Sequence, residues 1–253
     1  DFDYTIYNAL TEPIGKRIGW RKNILVSNLG AFEETQELFG TSEYKWRSGI
    51  KHDCAEVMEL ELSNGTLKNG LGETVQVEED FLYPLLKGSD VANRRTITHR
   101  YLLVPQKSPG EETRGLKEFA PKTWDYLESH ADYFRQRKSR IYQHAPQFSV
   151  FGVGNYTFAP WKIAICGLYK KLAFCLLGPL HEKPVVFDDT VYFLSFATEA
   201  EAREIYEFLT MGKTLKFLES MIFWDEKRPV KSGVLNSLRL PTPSRQLNWL
   251  GEL

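Results

Sequence analysis

Cysteine is scarce in this chain: Cys54, Cys166 and Cys175 are the only three in 253 residues, and no pair has C-x-x-C spacing. Three thiols cannot close a disulfide set, so the expectation is a reduced, cytoplasmic protein with buried thiols. No apolar run approaches the roughly 20 residues of a membrane-spanning helix, and no signal peptide is visible. No partner membrane is expected. The chain starts Asp-Phe-Asp, not with Met, which is expected of a piece of something longer. Excess charge is missing too, with 32 Lys and Arg against 33 Asp and Glu, and a pI of about 6.6. Overall charge therefore announces no polyanionic partner. There is no Gly-x-Ser-x-Gly elbow, no Gly-x-x-x-x-Gly-Lys-Ser/Thr loop and no His-Glu-x-x-His. His52, His99, His130, His144 and His181 are scattered, without metal-ligand spacing. Nothing resembles a self-sufficient active site, so a binding function is favoured by elimination.

The rest is an ordinary globular balance, 42% apolar and 26% charged, which excludes wholesale disorder. Residues 57–62 alternate apolar and acidic side chains and read as a half-buried strand. Asn64-Gly65 is a tight-turn dipeptide, with residues 74–77 as the returning strand. Residues 83–90 read as a short apolar turn closed by glycine, and 100–104 as a strand. Pro121 suits the first position of a long helix to about Arg140. Short β-rich runs follow at 162–166, 173–177, 185–187 and 191–196. Thr198-Glu-Ala-Glu201 is a capping box that opens a helix to about Met211. Further helices are expected at 214–222 and 232–238, in a tail punctuated by Pro229, Pro241 and Pro243. Strands in the middle and helices towards the end predict an α+β fold with mixed or antiparallel sheets.

Charge is segregated along the chain. Residues 133–181 hold no Asp or Glu in 49 positions, but seven bases: Arg135, Arg137, Lys138, Arg140, Lys162, Lys170 and Lys171. Residues 53–80 hold eight acids and one base. The acid-free window is also rich in aromatics, among them Tyr142 and Tyr156. Bases interleaved with aromatics can contact phosphates and stack on nucleobases. Two alternatives are a helix end beside an aromatic core, and a face that meets a smaller acidic ligand or partner.

Two other patterns bear on chemistry. Phe151-Gly-Val-Gly154-Asn-Tyr156 lacks the third glycine and the following helix of a dinucleotide fingerprint. It reads as a turn, or as a loop whose amides approach a phosphate. Asp188-Asp189 followed by Asp225-Glu-Lys227 reads as aspartates that accept backbone or arginine hydrogen bonds at a strand end, or has the order of a Mg²⁺-dependent nuclease, which requires those carboxylates to converge on one ion.

Six strings, taken in order, resemble a known family. They are Lys45-Trp-Arg-Ser-Gly-Ile-Lys-His-Asp-Cys54, Leu82-Tyr-Pro-Leu-Leu-Lys-Gly-Ser-Asp90, Arg137-Lys-Ser-Arg140, Phe148-Ser-Val-Phe-Gly-Val-Gly-Asn-Tyr156, Trp161-Lys-Ile-Ala-Ile-Cys-Gly-Leu-Tyr169 and Phe187-Asp-Asp-Thr-Val-Tyr-Phe193. Together they resemble the C-terminal target-recognition region of bacterial DNA adenine-N6 methyltransferases of restriction–modification systems, in the TaqI-like arrangement with the catalytic domain first. The resemblance implies that residues 1–43 are a joint to an upstream catalytic domain, 44–228 the recognition domain and 229–253 a tail. It implies that the parent enzyme uses S-adenosylmethionine and an Asn/Asp-Pro-Pro-Tyr/Phe motif. That motif does not occur here, so no cofactor and no catalytic residue are expected in this chain.

The partners implied are double-stranded DNA and the catalytic domain. With the charge pattern, the expected DNA contacts are Lys45, Arg47, Ser48, Lys51, Lys87, Arg135, Arg137, Lys138, Arg140, Tyr142, Asn155, Tyr156, Lys162, Lys170 and Lys171. Arginine suits guanine edges and lysine suits phosphates. Asp90 would cap a turn. The bases of 133–181 should line one concave face, with the acidic 53–80 stretch turned away. The alternatives are the nuclease, using Asp188, Asp189, Asp225 and Lys227, and a protein–protein module with a basic face.

Overall fold

The computed structural model describes the backbone of residues 3–9 and 12–242 and the side chains from Arg17 onwards. Pro243 and the remainder of the expected tail lie outside the described residues.

The elements run in this order: β1 (Asp3–Ala9), β2 (Glu12–Arg21), β3 (Ile24–Val26), α1 (Leu29–Glu33), β4 (Arg47–Ser48), α2 (Ala55–Met58), β5 (Glu59–Ser63), β6 (Thr66–Lys68), β7 (Leu82–Leu86), α3 (Gly88–Ala92), β8 (Arg100–Leu103), α4 (Leu116–Phe119), α5 (Pro121–Ser129), α6 (Ala131–Arg135), β9 (Trp161–Cys166), β10 (Cys175–Leu177), β11 (Val186–Phe187), β12 (Val191–Phe196), α7 (Glu199–Thr210), α8 (Gly212–Met221) and α9 (Ser232–Asn236). They form three sheets, ordered β1-β2-β3, β10-β9-β12-β4 and β11-β7-β8-β5-β6. All strand pairs are antiparallel except β11 with β7. The fold is α+β. No helix among the described residues is long and apolar enough to cross a membrane.

Strand periodicity sorts the cores. On β9 and β12, Ile163, Ile165 and Leu194 face α7 and α8, in a core that also holds Val26, Leu29, Phe32, Phe217, Val230, Leu235 and Leu238. Residues on both sides of positions 43 and 228 therefore share one apolar cluster. The opposite face of the same strands, Ala164 and Phe193, packs on Leu86, Val91, Val185 and Phe187. The five-stranded sheet supports a third cluster, where Leu60, Leu85 and Leu102 meet Trp124, Leu127, Phe134, Phe148 and Val150.

Several local expectations hold. Asn64 and Gly65 both take positive φ and join Ser63 to Thr66, as a two-residue hairpin turn requires. Thr198 caps α7 and accepts from the Glu201 N–H. Pro121 opens α5.

Others are corrected. Residues 57–62 are not one strand, because Val57 and Met58 finish α2 and the ladder starts at Glu59. The returning strand is Thr66–Lys68, directly after the turn; residues 74–77 contribute one isolated bridge, Lys68 to Thr74. Residues 82–86 are no turn but the fully buried β7. Pro84 is tolerated there because β11 reaches only Leu85 and Leu86, leaving Pro84 paired on one side. The helix after Pro121 does not reach Arg140. It breaks at His130 (φ −109°), whose Nδ1 lies 2.8 Å from the Tyr126 carbonyl and whose Nε2 lies 2.7 Å from Glu73. Glu73 is remote in sequence, so local periodicity could not reveal the break.

Candidate functional site

Two glycine-centred segments that are far apart in sequence are joined in the fold. Arg47 and Ser48 pair with Phe193 and Tyr192 as β4. The chain then crosses sheets: Gly49 N–H donates to the Val191 carbonyl, and Ile50 N–H donates to the Phe187 carbonyl. Lys51 and Phe151 exchange both backbone hydrogen bonds, at 2.8 and 2.9 Å. A Cβ on Gly49 would lie 2.1 Å from the Asp188 carbonyl oxygen, so only glycine permits this crossing. Gly152 takes φ +75°, and a Cβ there would lie 2.6 Å from the Gly49 carbonyl. The two glycines make the seam by mutual close approach.

Aromatic and basic side chains cluster along this seam. The Arg47 guanidinium lies 4.9 Å from the centre of the Tyr156 ring. Tyr142 packs edge-on against Phe151 at 5.3 Å. Asn155 is exposed at the start of the short turn that carries Tyr156. Lys51 is half-buried and pairs with Asp53 at 2.8 Å. The Arg137 guanidinium lies over the Tyr142 ring, 3.6 Å from its centre. Burial, and then the charge of Asp53, push the Tyr142 phenol far above its ordinary pKa. A groove of about 400 Å³ opens beside it, lined in part by Arg135, Ser139 and Gln143.

Two exposed basic loops flank the seam. One carries Lys138 and Arg140, and ends on the Tyr142 contact just described. The other, between β9 and β10, carries Lys170 and Lys171. Gly167 N–H at its root donates to the Thr190 carbonyl. Arg228 bonds the Asp189 carbonyl at 3.4 Å, and its stem would lie 3.3 Å from a Cβ on Gly167. Asp189 in turn acts on Tyr142. Lys45 is exposed beside Trp46, whose backbone N–H donates to the Asn236 side-chain oxygen at 3.0 Å.

Four of the expected bases have other work. Lys162 is 1% exposed; its ammonium donates to the Ala159 carbonyl at 2.6 Å. Burial pulls its pKa down to about 7, and it does not reach the surface. It sits on the inner face of β9, where alternation points it at Phe193 rather than outward. Arg137 turns inward to the carbonyls of Phe134, His52 and Ser149. Burial lowers its pKa, and its role here is to pin three backbone segments. Lys87 gives its ammonium to both Glu59 oxygens at 2.9 Å. Arg135 pairs with Asp132 on its own helix. The seven bases of 133–181 therefore do not all line one face.

The acidic stretch is not wholly turned away either, since Asp53 binds Lys51 and Glu59 binds Lys87 and His52. Burial opposes ionisation of Glu59, but hydrogen bonds from His52 and Lys87 outweigh it and hold the carboxyl below its ordinary range. Asp90 caps as expected, accepting from the Lys87 N–H at 3.0 Å.

The nuclease pattern does not assemble. Asp188 is tied to Thr190 through its backbone N–H and hydroxyl, while burial raises its pKa. Asp225 lies in a separate cavity beside Trp224 and Ser27. Among the described residues no three His, Cys, Asp or Glu side chains come together as a metal site.

No protein-family model matches the chain. Over 226 residues it is 55% identical to the type II methyltransferase M.NspV of Nostoc sp. (strain ATCC 29411 / PCC 7524). This chain is a relative of a methyltransferase. The alignment covers 88% of the chain and 47% of M.NspV, so the chain spans about half the length of that relative.

Sequence reasoning missed the acids that join the seam. Asp53 comes from the positive-φ corner of the Lys51 loop (φ +49°). Asp189 comes from the β11–β12 turn, and Arg228 reaches it from the far end of the chain. The acid-free window hid them because both acids lie outside it. The only local signal is the Asp188-Asp189 pair at a strand end, where Asp188 accepts from the Thr190 backbone N–H as expected.

Proposed function

We propose that this chain is the DNA-recognition part of an S-adenosylmethionine-dependent DNA adenine-N6 methyltransferase of a restriction–modification system. In this reading it binds double-stranded DNA, and methyl transfer belongs to a catalytic domain of the whole enzyme. The observation that carries the reading is the 55% identity over 226 residues to a type II methyltransferase of about twice the aligned length. The seam supports it. Arg47, Ser48, Asn155 and Tyr156 stand together on a frame fixed by backbone hydrogen bonds, which is what base recognition requires of its reading side chains. Lys45, Lys138, Arg140, Lys170 and Lys171 surround that frame and serve as phosphate anchors. Residues 24–43 and 229–240 complete the core beneath α7 and α8 in the same recognition unit.

The test is binding of the chain to mixed-sequence duplex DNA across a salt series. Affinity is expected to fall by about 0.9 log units per log salt for each phosphate contacted. Arg47→Ala should weaken binding to a selected site by about 1–3 kcal/mol and relax base preference at one position. Salt-independent binding, or none at low salt, would overturn the reading.

A further inference from the structure

We propose that the α3–β8 loop, residues 93–99, is a second DNA-binding element, with Arg94 on a backbone phosphate and Ile97 packed against sugar and base edges of the same duplex. It rests on the DNA-recognition reading and extends it to residues outside the acid-free window.

The first observation is charge. No Asp or Glu occurs between Asp90 and Glu111, while Arg94, Arg95, His99, Arg100 and Lys107 do. Asp90, 2% exposed, accepts from both Arg95 and Arg100. Arg94 has no ion pair among the described residues, and the loop as a whole stays positive.

The second observation is exposure. Ile97 is 71% exposed, more than any other large apolar side chain among the described residues. An isoleucine held in water among cations has no role in this protein's core. Proteins that bind bent or opened duplexes pair such apolar side chains with neighbouring arginines.

The third is order. Both roots of the loop are fixed. Arg94 N–H bonds the Val91 carbonyl, Arg95 N–H bonds the Asp90 carbonyl, and the buried Thr98 hydroxyl accepts from Arg100 N–H. The tip is thus presented by a rigid base, which lowers the entropy cost of contact.

The fourth is place. A Cβ on Gly88, the first residue of α3, would lie 2.5 Å from Thr190 Oγ1 and 2.7 Å from Cys166 Sγ. That is the end of the four-stranded sheet where Gly49 bonds Val191. Arg94 is close enough to Cys175 to favour its thiolate against the stronger effect of burial. Cys175 directly follows the loop that carries Lys170 and Lys171. The α3–β8 loop therefore stands beside β10, next to an exposed basic loop already assigned to phosphates.

The experiment is a titration of the chain with fluorescent mixed-sequence duplex at several salt concentrations. Arg94 has φ +54°, a region that asparagine tolerates. Arg94→Asn thus removes the charge without straining the backbone. Its salt slope should fall by about 0.9, and Arg94→Lys should restore it. Ile97→Ala should weaken binding several-fold with the slope unchanged, because it removes apolar contact and no charge. Salt-steep wild-type binding with both variants indistinguishable from it would overturn this proposal and leave the recognition reading standing. Failure of the wild type to bind at the lowest salt would overturn both.

Discussion

A buried lysine with one carbonyl for company shapes the pH response of this protein. Below about pH 7, Lys162 is charged in the folded and unfolded chains alike, and the folded state bears the full desolvation cost. Between there and the free-lysine value of about 10.4, the unfolded chain holds a proton that the folded one does not, so stability rises with pH. The full effect is on the order of 4 kcal/mol, offset in a substitution by about 1–3 kcal/mol for the orphaned Ala159 carbonyl. Lys162→Met should therefore raise the melting temperature at pH 6, by a margin that narrows towards pH 10. A margin independent of pH would show that the amine is not the cause. Glu59 has the opposite sign. Its folded pKa is held low by His52 and Lys87, so its contribution is present above the ordinary carboxylate range and is lost as pH falls through the folded value. Glu59→Gln leaves Lys87 and His52 without their anion and should cost about 3 kcal/mol at neutral pH. Urea titration at pH 7 and pH 3 should find the difference between variant and wild type shrinking in acid.

At the scale of elements, the seam is held by backbone geometry that tolerates no side chain. Gly49→Ala would place a methyl group against the Asp188 and Phe187 carbonyls, and the strand must retreat from β11 to accept it. The expected result is a loss of stability above about 3 kcal/mol, within the range of severe overpacking. Hydrogen exchange should show Ile50 and Lys51 amides losing protection before those of β9. By contrast, Gly65→Asn at the Asn64-Gly65 turn meets open space and a permissive φ, so it should be nearly neutral in the same measurement. The two glycines look alike in sequence, and their tolerance differs because one borders solvent and the other two carbonyls.

For the whole molecule, net charge is a poor guide to binding, because −1 averages over a face where acids and bases are already paired. Asp53, Asp90 and Glu59 hold some of the bases in place, and the unpaired ones remain to meet phosphates. A ligand that binds only the folded state stabilises it by about 2.7 kcal/mol at a hundredfold excess over Kd. Duplex DNA at that excess should accordingly raise the melting temperature of this chain by a few degrees at low salt. The rise should vanish at high salt; a rise indifferent to salt would speak against phosphate contacts.

Short-range chemistry was legible before folding was considered. The Asn64-Gly65 turn, Pro121 at a helix start, the Thr198 cap and the strand at 191–196 each depend on residues within a few positions of one another. So did the two glycine loops and the segregation of charge. What required the tertiary structure was every feature made by contact across the chain. His130, where the helix after Pro121 breaks, meets Glu73 from a remote segment, and β7 is a strand because β8 and β11 flank it. Lys162 faces inward because its register on β9 points it at Phe193. Arg137 and Lys87 turn from candidate contacts into anchors because His52, Ser149 and Glu59 arrive beside them. A side chain's charge is written in the sequence, but its partner is chosen by the fold, since Coulomb and hydrogen-bond energies depend on distances that only packing sets.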